Sequence, residues 1–380
     1  MIGRGEFLAG TGAAVTAFQV PAFTLQSTIG VVAPLSGNDR RDGEALANGV
    51  RAAIDDSNRQ RTALDHVYLL RVFDDQNSIA GATANASFAS SDPTIIAVVG
   101  HYGAKQTIAT VRTYAEAQMP LIVPAVTDNA LTATGYRNAF RLPTRDFDEG
   151  QLLTRYALKE FKSKLVGGLV QGDGYGAGVA DGVTATLNAQ KIPNKFTVFS
   201  RSKPDYNAAA DDVLTAKPDT IVLAGTAPDM GPIVKVLRDK GFAGKLIASQ
   251  GFFDPALVSQ FAKESEGVVV SSSMPYLALA PSTFRIRNDF EGRYGPFTPV
   301  AAFAYAATQI IMSGVRRSGA SQRAQLLRNF SLGGNYDTVV GSFTFGPQGD
   351  PVDPELYFYT LQNGSFAYLR QAHPSGFLSR

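Results

Sequence analysis

The 380-residue chain contains no cysteine and only three histidines. The missing cysteines exclude disulfide bonds, thiolate metal sites, a cysteine nucleophile and a lipid anchor on an N-terminal cysteine. The histidines, His66, His101 and His373, do not stand at the spacing of metal ligands. The sequence therefore offers no support for a metal site, and none is expected.

The chain also lacks a strong charge of either sign, since 35 Lys and Arg residues stand against 33 Asp and Glu. No basic cluster is longer than a pair such as Arg40-Arg41, so a nucleic-acid-binding surface is not expected. Hydrophobic residues make up 44% of the chain. That composition supports a large buried core, and the length favours two domains over one.

The first 26 residues differ from the rest in composition. Arg4 lies in a short charged region, residues 7–23 carry no charge, and Ala22 follows Val20 and Pro21. This order is typical of a secretory signal. We therefore predict an exported, periplasmic protein whose signal segment, residues 1–26, is cleaved near Ala22. Gly5 replaces the second arginine of a twin-arginine signal, so both export routes remain open.

From residue 28 onward, apolar segments alternate with amphipathic ones. Residues 29–33 and 95–100 are apolar throughout, which is typical of strands buried on both faces of a parallel sheet. Residues 42–61 place Leu46 and Val50 on one helical face. The alternation runs to residue 124 and restarts after residues 143–148. It predicts two βαβ series, each a parallel sheet with helices on both faces.

Such sheets bind ligands beyond the carboxyl ends of their strands, and two of them facing each other form a hinged clamp. Short motifs along the chain agree with this architecture. They are residues 29–37 (IGVVAPLSG), 74–76 (DDQ), 98–101 (VVGH), 124–127 (PAVT), 175–176 (YG), 205–207 (DYN) and 250–251 (QG). In order and spacing, this set resembles the periplasmic leucine/isoleucine/valine-binding proteins, the type I solute receptors of ABC importers.

The resemblance covers most of residues 27–362 and implies an α/β fold of two doubly wound lobes joined by a three-segment hinge. We expect crossings near residues 143–148, 271–279 and 330–338. The predicted division is a first lobe of residues 27–145 and 276–332, a second lobe of residues 146–275 and 333–365, and a C-terminal tail of residues 366–380.

The resemblance also implies where the first lobe holds a ligand carboxylate. The family uses the loop after the third strand and a threonine after the fourth, and the free N–H groups of a helix N-terminus suit an anion. The corresponding residues here are Tyr102, Gly103, Ala104, Lys105, Gln106 and Thr127. Ala104, Lys105 and Gln106 stand where the family has serines. Lys105 is either a carboxylate contact or a solvated side chain.

On the second lobe the resemblance implies that carboxylates and an aromatic lid hold an ammonium group. Asp146 and Tyr175 match these positions, whereas Thr226 replaces an aromatic residue at another contact position of the family. Asp146 is either a ligand contact or a helix cap. Gln250 stands where many amino-acid binders have Glu, and a neutral amide cannot balance an ammonium charge. The ligand is therefore left as a small amino acid, an aromatic or aliphatic carboxylate, or an amide.

The resulting hypothesis is an exported, monomeric solute-binding protein that delivers its ligand to an ABC permease in the inner membrane and has no cofactor and no enzymatic activity. A periplasmic ligand sensor of the same fold is the alternative. A dinucleotide-dependent oxidoreductase is a weaker one. Residues 172–177 (GDGYGA) fit the G-x-G-x-x-A pattern. However, no acidic residue ends the next apolar segment, residues 195–199, to bind a ribose.

Overall fold

A computed structural model describes residues 25–62, 66–254, 259–275, 281–319 and 322–372. Nearly all of the predicted signal segment, with the cleavage position near Ala22, lies outside these residues. The strands are β1 Gln26–Ala33, β2 Val67–Asp74, β3 Ile95–Gly100, β4 Leu121–Val123, β5 Ala139–Arg141, β6 Val166–Gln171, β7 Asn194–Phe199, β8 Thr220–Ala224, β9 Lys245–Ala248, β10 Val269–Ser272, β11 Tyr336–Thr338, β12 Gly341–Phe343, β13 Leu356–Gln362 and β14 Ser365–Ala372.

The α-helices alternate with these strands. They are α1 Arg40–Gln60, α2 Ile79–Ser91, α3 Ala104–Glu116, α4 Asp146–Tyr156, α5 Gly174–Ala189, α6 Tyr206–Leu214, α7 Ala227–Asp239, α8 Pro281–Tyr294, α9 Pro299–Ser318 and α10 Arg323–Ser331. A π-helical turn, Ala157–Phe161, continues α4. Single 3₁₀ turns occupy Asn129–Leu131, Gln250–Phe252 and Ser259–Phe261.

The first-lobe sheet has the strand order β2-β1-β3-β4-β5, and all of its strand pairs are parallel. Alternate residues of β1 enter different apolar cores. Val31 packs in the core that contains α1 and α9 residues, whereas Val32 packs in the core that contains α2 and α3 residues. The prediction of a parallel sheet covered by helices on both faces is confirmed for this lobe.

The second-lobe sheet has the order β14-β13-β10-β9-β8-β6-β7. The strands from β6 to β10 pair in parallel, but β13 is antiparallel to β10, and β14 is antiparallel to β13. Leu169 and its neighbour Val170 again enter cores on opposite faces. The sheet is doubly wound with an antiparallel edge, a common variation of this architecture.

The C-terminal boundaries differ from the prediction. The tail was predicted to begin at residue 366, but Ser365–Ala372 is a strand that pairs with β13; residues 373–380 lie outside the described part. Residues 333–345 were assigned to the second lobe, but Tyr336 and Phe345 belong to the first-lobe core. The third crossing is therefore later than residues 330–338, between Asp350 and β13. A sequence pattern can indicate that aromatic residues such as Tyr336 and Phe345 are buried, but not against which lobe they pack.

Helix α9 is the central helix of the first lobe. Thr298 caps its first turn by accepting a hydrogen bond from the Ala301 N–H, Pro299 occupies its first turn, and Gly319 ends it with φ +62°. This arrangement is favoured because proline suits a helix start and glycine suits a left-handed end. Among the described helices none alone has the length and hydrophobicity to span a bilayer; α8 and α9 together do, but with a bend of 114°.

Gly49 lets α1 and α9 approach closely, and we expect Gly49→Ala to destabilise the first lobe. A Cβ atom there would lie 2.3 Å from the Ala301 carbonyl oxygen and 2.9 Å from the Ala304 Cβ. Overpacking of this kind costs about 1–3 kcal/mol. Denaturant unfolding followed by circular dichroism measures the loss. Gly292→Ala in α8 is the matched control, because nothing lies within 4 Å of its added Cβ; a similar loss there would contradict the packing argument.

Candidate functional site

The loop between β3 and α3 is anchored by a buried histidine. His101 Nδ1 lies 2.8 Å from Asp75 Oδ2, and its Nε2 lies 3.3 Å from the Tyr114 hydroxyl. All three residues are buried. The loop that leads into α3 is therefore held at the carboxyl end of β3, the edge at which parallel sheets bind ligands.

Helix α3 begins at Ala104 without a side-chain cap, since its N-cap residue is Gly103. Its first N–H groups are therefore available to an anion. Lys105 is exposed in the first turn. Gln106 points elsewhere, because its amide nitrogen donates to the carbonyl and side-chain oxygens of Asn77 at 2.8 and 2.9 Å. Backbone groups and Lys105 thus remain as the anion-binding elements of this turn.

Tyr102 has a partner within its own lobe. Its hydroxyl donates a 2.8 Å hydrogen bond to Asp42 Oδ2, near the start of α1, and its ring packs against the first-lobe core. Burial and the neighbouring Asp42 carboxylate raise the pKa of Tyr102. The residue ties the α3 loop to α1, and its hydroxyl is already used.

Thr127 and Asp146 meet at the first crossing. The Asp146 N–H donates to the Thr127 carbonyl oxygen at 3.0 Å. The Asp146 side chain is buried, and its Oδ1 accepts no hydrogen bond from any described residue. Burial raises the pKa of Asp146 to about 8, with a smaller contribution from the Glu149 charge, although a hydrogen bond from the Thr127 side chain opposes the shift. A buried oxygen without a partner is costly unless a ligand supplies one.

Glu149, one turn beyond Asp146, is fully buried. Its Oε1 accepts hydrogen bonds from the Gln250 N–H and the Ser271 hydroxyl, both at 2.6 Å. Its Oε2 accepts from Gln250 Nε2 at 3.1 Å and from the Tyr175 hydroxyl at 3.4 Å. Burial raises the pKa of Glu149, and these hydrogen bonds oppose the shift. Glu149 thus brings together Tyr175 and Gln250, two of the predicted contact residues.

Gln250 also contacts the second crossing. Its Oε1 accepts from the Ser273 hydroxyl at 2.9 Å and from the Ser273 N–H at 3.3 Å. Ser273 Oγ in turn accepts from the Thr144 N–H in the first crossing at 3.2 Å. Tyr175 accepts a 2.8 Å hydrogen bond from the Gly251 N–H. The polar groups on this side of the second lobe are therefore linked to the chain segments that join the lobes.

The glycine-rich turn after β6 is unsuited to a pyrophosphate. Asp173 caps α5, accepting a 2.9 Å hydrogen bond from the Gly176 N–H. A carboxylate at this helix N-terminus would repel a phosphate that needs the same N–H groups. Thr226 belongs to the same region, where its N–H and hydroxyl both donate to Gln171 Oε1 at 2.9 Å. These contacts give the turn a structural role.

A cavity elsewhere in the described chain lies apart from the predicted contact residues. A cavity of about 330 Å³ lies between α1, β2 and α9, where Asp56 accepts hydrogen bonds from Tyr305 and Arg293. None of the predicted contact residues lines it. Within the residues that the structure describes, no group of three or more His, Asp or Glu side chains could hold a metal ion.

Comparison with known proteins agrees with this geometry. A family model described as periplasmic binding protein matches residues 26–365. The chain belongs to this family. The family accounts for the two-lobed α/β fold and confirms the prediction of a binding protein rather than an enzyme. The dinucleotide-dependent oxidoreductase is thereby excluded.

Individual relatives extend the match over nearly the whole chain. A Leu/Ile/Val-binding protein of Rhizobium johnstonii is 25% identical over 339 residues, 89% of this chain and 92% of the relative. An ABC transporter substrate-binding protein of Desulfitobacterium hafniense, solved in complex with Leu, has a TM-score of 0.77 and 25% identity and covers 90% of this chain and 100% of its own. A solute-binding protein of R. palustris in complex with benzoate has a TM-score of 0.76 and 17% identity, with 93% and 97% covered.

The predicted contact residues form two groups in this family member. Gly103, Ala104 and Lys105 lie at the uncapped start of α3, whereas Asp146, Tyr175 and Gln250 gather around the first crossing and Glu149. No hydrogen bond between described residues joins the two groups. Sequence reasoning did not select Glu149, although the i, i+3 spacing of Asp146 and Glu149 before Leu152 places both acids on one helical side. That spacing was the available signal.

Proposed function

We propose that this protein is an exported solute receptor that captures a small amino acid or related carboxylate between its lobes and delivers it to an ABC permease. The family match supports a solute-binding role, and the names of the relatives support ABC transport. Periplasmic location is typical of the family, and the composition of residues 1–26 favours export. The protein recovered from the periplasm should begin near residue 23, which N-terminal sequencing can test.

The buried carboxyl group of Asp146, with one oxygen that lacks a partner, is the observation that carries the ligand assignment. Its Oδ1 has no donor within the described protein, so a ligand with an N–H donor would satisfy it. An ammonium group would do so best, because it also keeps the carboxyl ionised. The uncapped start of α3 offers N–H groups to an anion. A ligand with an ammonium group and a carboxylate, an amino acid, uses both features.

The same arrangement explains how binding would close the clamp. Thr127 and the α3 turn are carried by the first lobe, and Tyr175 is carried by α5 of the second. A ligand that contacts both groups binds the closed form more tightly than the open form, so it shifts the population towards closure. A permease that recognises the closed arrangement of the two lobes would then receive loaded protein in preference to empty protein.

Thermal unfolding in the presence of candidate solutes tests the proposal. Amino acids, benzoate and other carboxylates without an amine, simple amines and dinucleotides form the panel. A ligand at 100 times its Kd stabilises the folded state by about 2.7 kcal/mol. We expect a shift with at least one amino acid and a weaker one in Lys105→Ala if that side chain contacts the carboxylate. No shift with any amino acid, together with a shift by a carboxylate that lacks an amine, would refute the assignment.

A further inference from the structure

Glu149 occupies an unusual position for an acidic residue. It is fully buried in α4, and the donors that surround it come from three separate parts of the second lobe: the α5 start, the turn after β9, and β10. None of these donors is a charged group. Hydrogen bonds from these neutral donors are therefore what opposes burial, which raises the pKa of Glu149.

The bonding pattern specifies a carboxylate at residue 149 and an amide at residue 250. Gln250 donates through Nε2 to Glu149 and accepts through Oε1 from Ser273. An amide is the side chain that can do both, because it carries one donor group and one acceptor group. Glu149, in contrast, only accepts. Because Glu149 accepts a hydrogen bond from the Gln250 amide, the side chain at residue 250 is fixed in orientation before any ligand arrives.

We propose that Glu149 is a positioning residue that sets the second-lobe binding face by holding Gln250 and the Tyr175–Gly251 contact in place. This inference rests on the proposed function for its effect on ligand affinity. Its effect on the unliganded protein is independent of that function. The acid at residue 149 and the amide at residue 250 act as a matched pair. We therefore expect exchanging the two side chains to be tolerated better than replacing either one alone.

The Glu149→Gln variant breaks the pattern. A glutamine at residue 149 must direct its NH₂ group towards other donors, which leaves at least one buried donor unmatched. We expect hydrogen exchange at the Gln250 and Gly251 backbone amides of the unliganded protein to rise about tenfold or more. Using L-leucine as the probe in calorimetry, we expect its Kd to increase about tenfold.

The exchanged pair Glu149→Gln with Gln250→Glu restores a complete set of partners. The amide introduced at residue 149 would accept from the residue 250 N–H and donate to the carboxylate introduced at residue 250, which still accepts from Ser273. We expect exchange rates and leucine affinity to return to within about threefold of the wild type. Gln250→Glu alone places two buried acids together and should be the most impaired variant.

Asp148→Asn is the control on the same helix, since Asp148 pairs with Arg145 and does not contact the Gln250 turn. It should change neither measurement. Unchanged exchange in Glu149→Gln, or an exchanged pair that is no better than the single variants, would overturn the proposal; an exchanged pair that fails to fold would overturn it as well. If L-leucine does not bind the wild type, the leucine form of the proposed function fails, while the exchange measurements still decide the role of Glu149.

Discussion

Replacing Asp146 with Asn should make the unliganded protein more stable at pH 8 and weaken its binding of an amine-bearing ligand. The folded-state pKa of Asp146 is about 8, above its ordinary value of 3.8. The folded protein therefore keeps a proton that the unfolded chain releases. The stability that this provides is complete below about pH 4 and is lost as the pH rises towards 8. Asn cannot ionise and avoids that loss.

Melting of both proteins between pH 5 and pH 8 measures the effect. We expect the wild type to lose about 2–4 kcal/mol relative to the variant over this interval, since each pH unit contributes at most about 1.4 kcal/mol. The Glu149 charge contributes to the raised pKa of Asp146, so this repulsion is absent from the variant and forms part of the difference. Asp148→Asn, which alters a carboxylate paired with Arg145, should instead follow the wild type. If the stabilities of Asp146→Asn and the wild type changed in parallel with pH, the raised pKa of Asp146 would be contradicted.

Ligand affinity should change in the opposite direction. Loss of a buried carboxylate that contacts an ammonium group costs about 2–5 kcal/mol, so the Kd should increase at least about 30-fold, and by about 300-fold in the middle of that range. Wild-type affinity should strengthen from pH 6 to pH 9 as Asp146 ionises, and the affinity of the variant should lack this pH dependence. Equal affinity in both proteins would remove Asp146 from the binding site.

Arg141→Met should cause a large loss of stability, because Arg141 joins the first and third chain crossings. The buried guanidinium donates from Nε to Asp350 Oδ1 at 2.9 Å, from one terminal nitrogen to the Thr132 hydroxyl at 3.0 Å, and from the other to the Asp128 carbonyl at 2.6 Å. Removing one partner of a buried ion pair costs about 3–5 kcal/mol. Denaturant unfolding followed by circular dichroism measures the change.

The double variant Arg141→Met, Asp350→Asn should recover part of this loss, because it removes the unpaired carboxylate as well. Arg145→Ala is the matched control. Arg145 lies 3.7 Å from the same Asp350 carboxylate and is partly exposed, so its loss should cost no more than about 1 kcal/mol. A loss below about 1 kcal/mol for Arg141→Met would show that the crossings are held by other contacts.

Local patterns predicted most of the architecture correctly. The sequence predicted a helix over residues 42–61, and α1 spans Arg40–Gln60; the apolar segment 95–100 is β3. These predictions succeed because a buried strand and an amphipathic helix each have a hydrophobic pattern that can be recognised within a short segment of sequence. Helix α5 begins at Gly174 because Asp173 caps it, and its glycine-rich first turn shows no hydrophobic period.

Two features depend on contacts between residues that are far apart in the sequence, so no local hydrophobic periodicity predicts them. Tyr336 is the buried residue of β11, and only tertiary packing places it in the first-lobe core. The Arg141–Asp350 pair joins residues 209 positions apart. Each of its members, taken alone in the sequence, is an ordinary charged residue.

The binding region shows the same division. The sequence by itself determined a two-lobed α/β protein and, through its motifs, selected Asp146, Tyr175 and Gln250 as candidates. The tertiary structure alone decided that Gln250 is hydrogen-bonded to Glu149, 101 positions away. It also decided that Asp146 is buried with one oxygen unpartnered among the described residues. Burial and hydrogen-bond satisfaction are properties of surroundings drawn from both lobes and the crossings between them, so they arise only when the chain has folded.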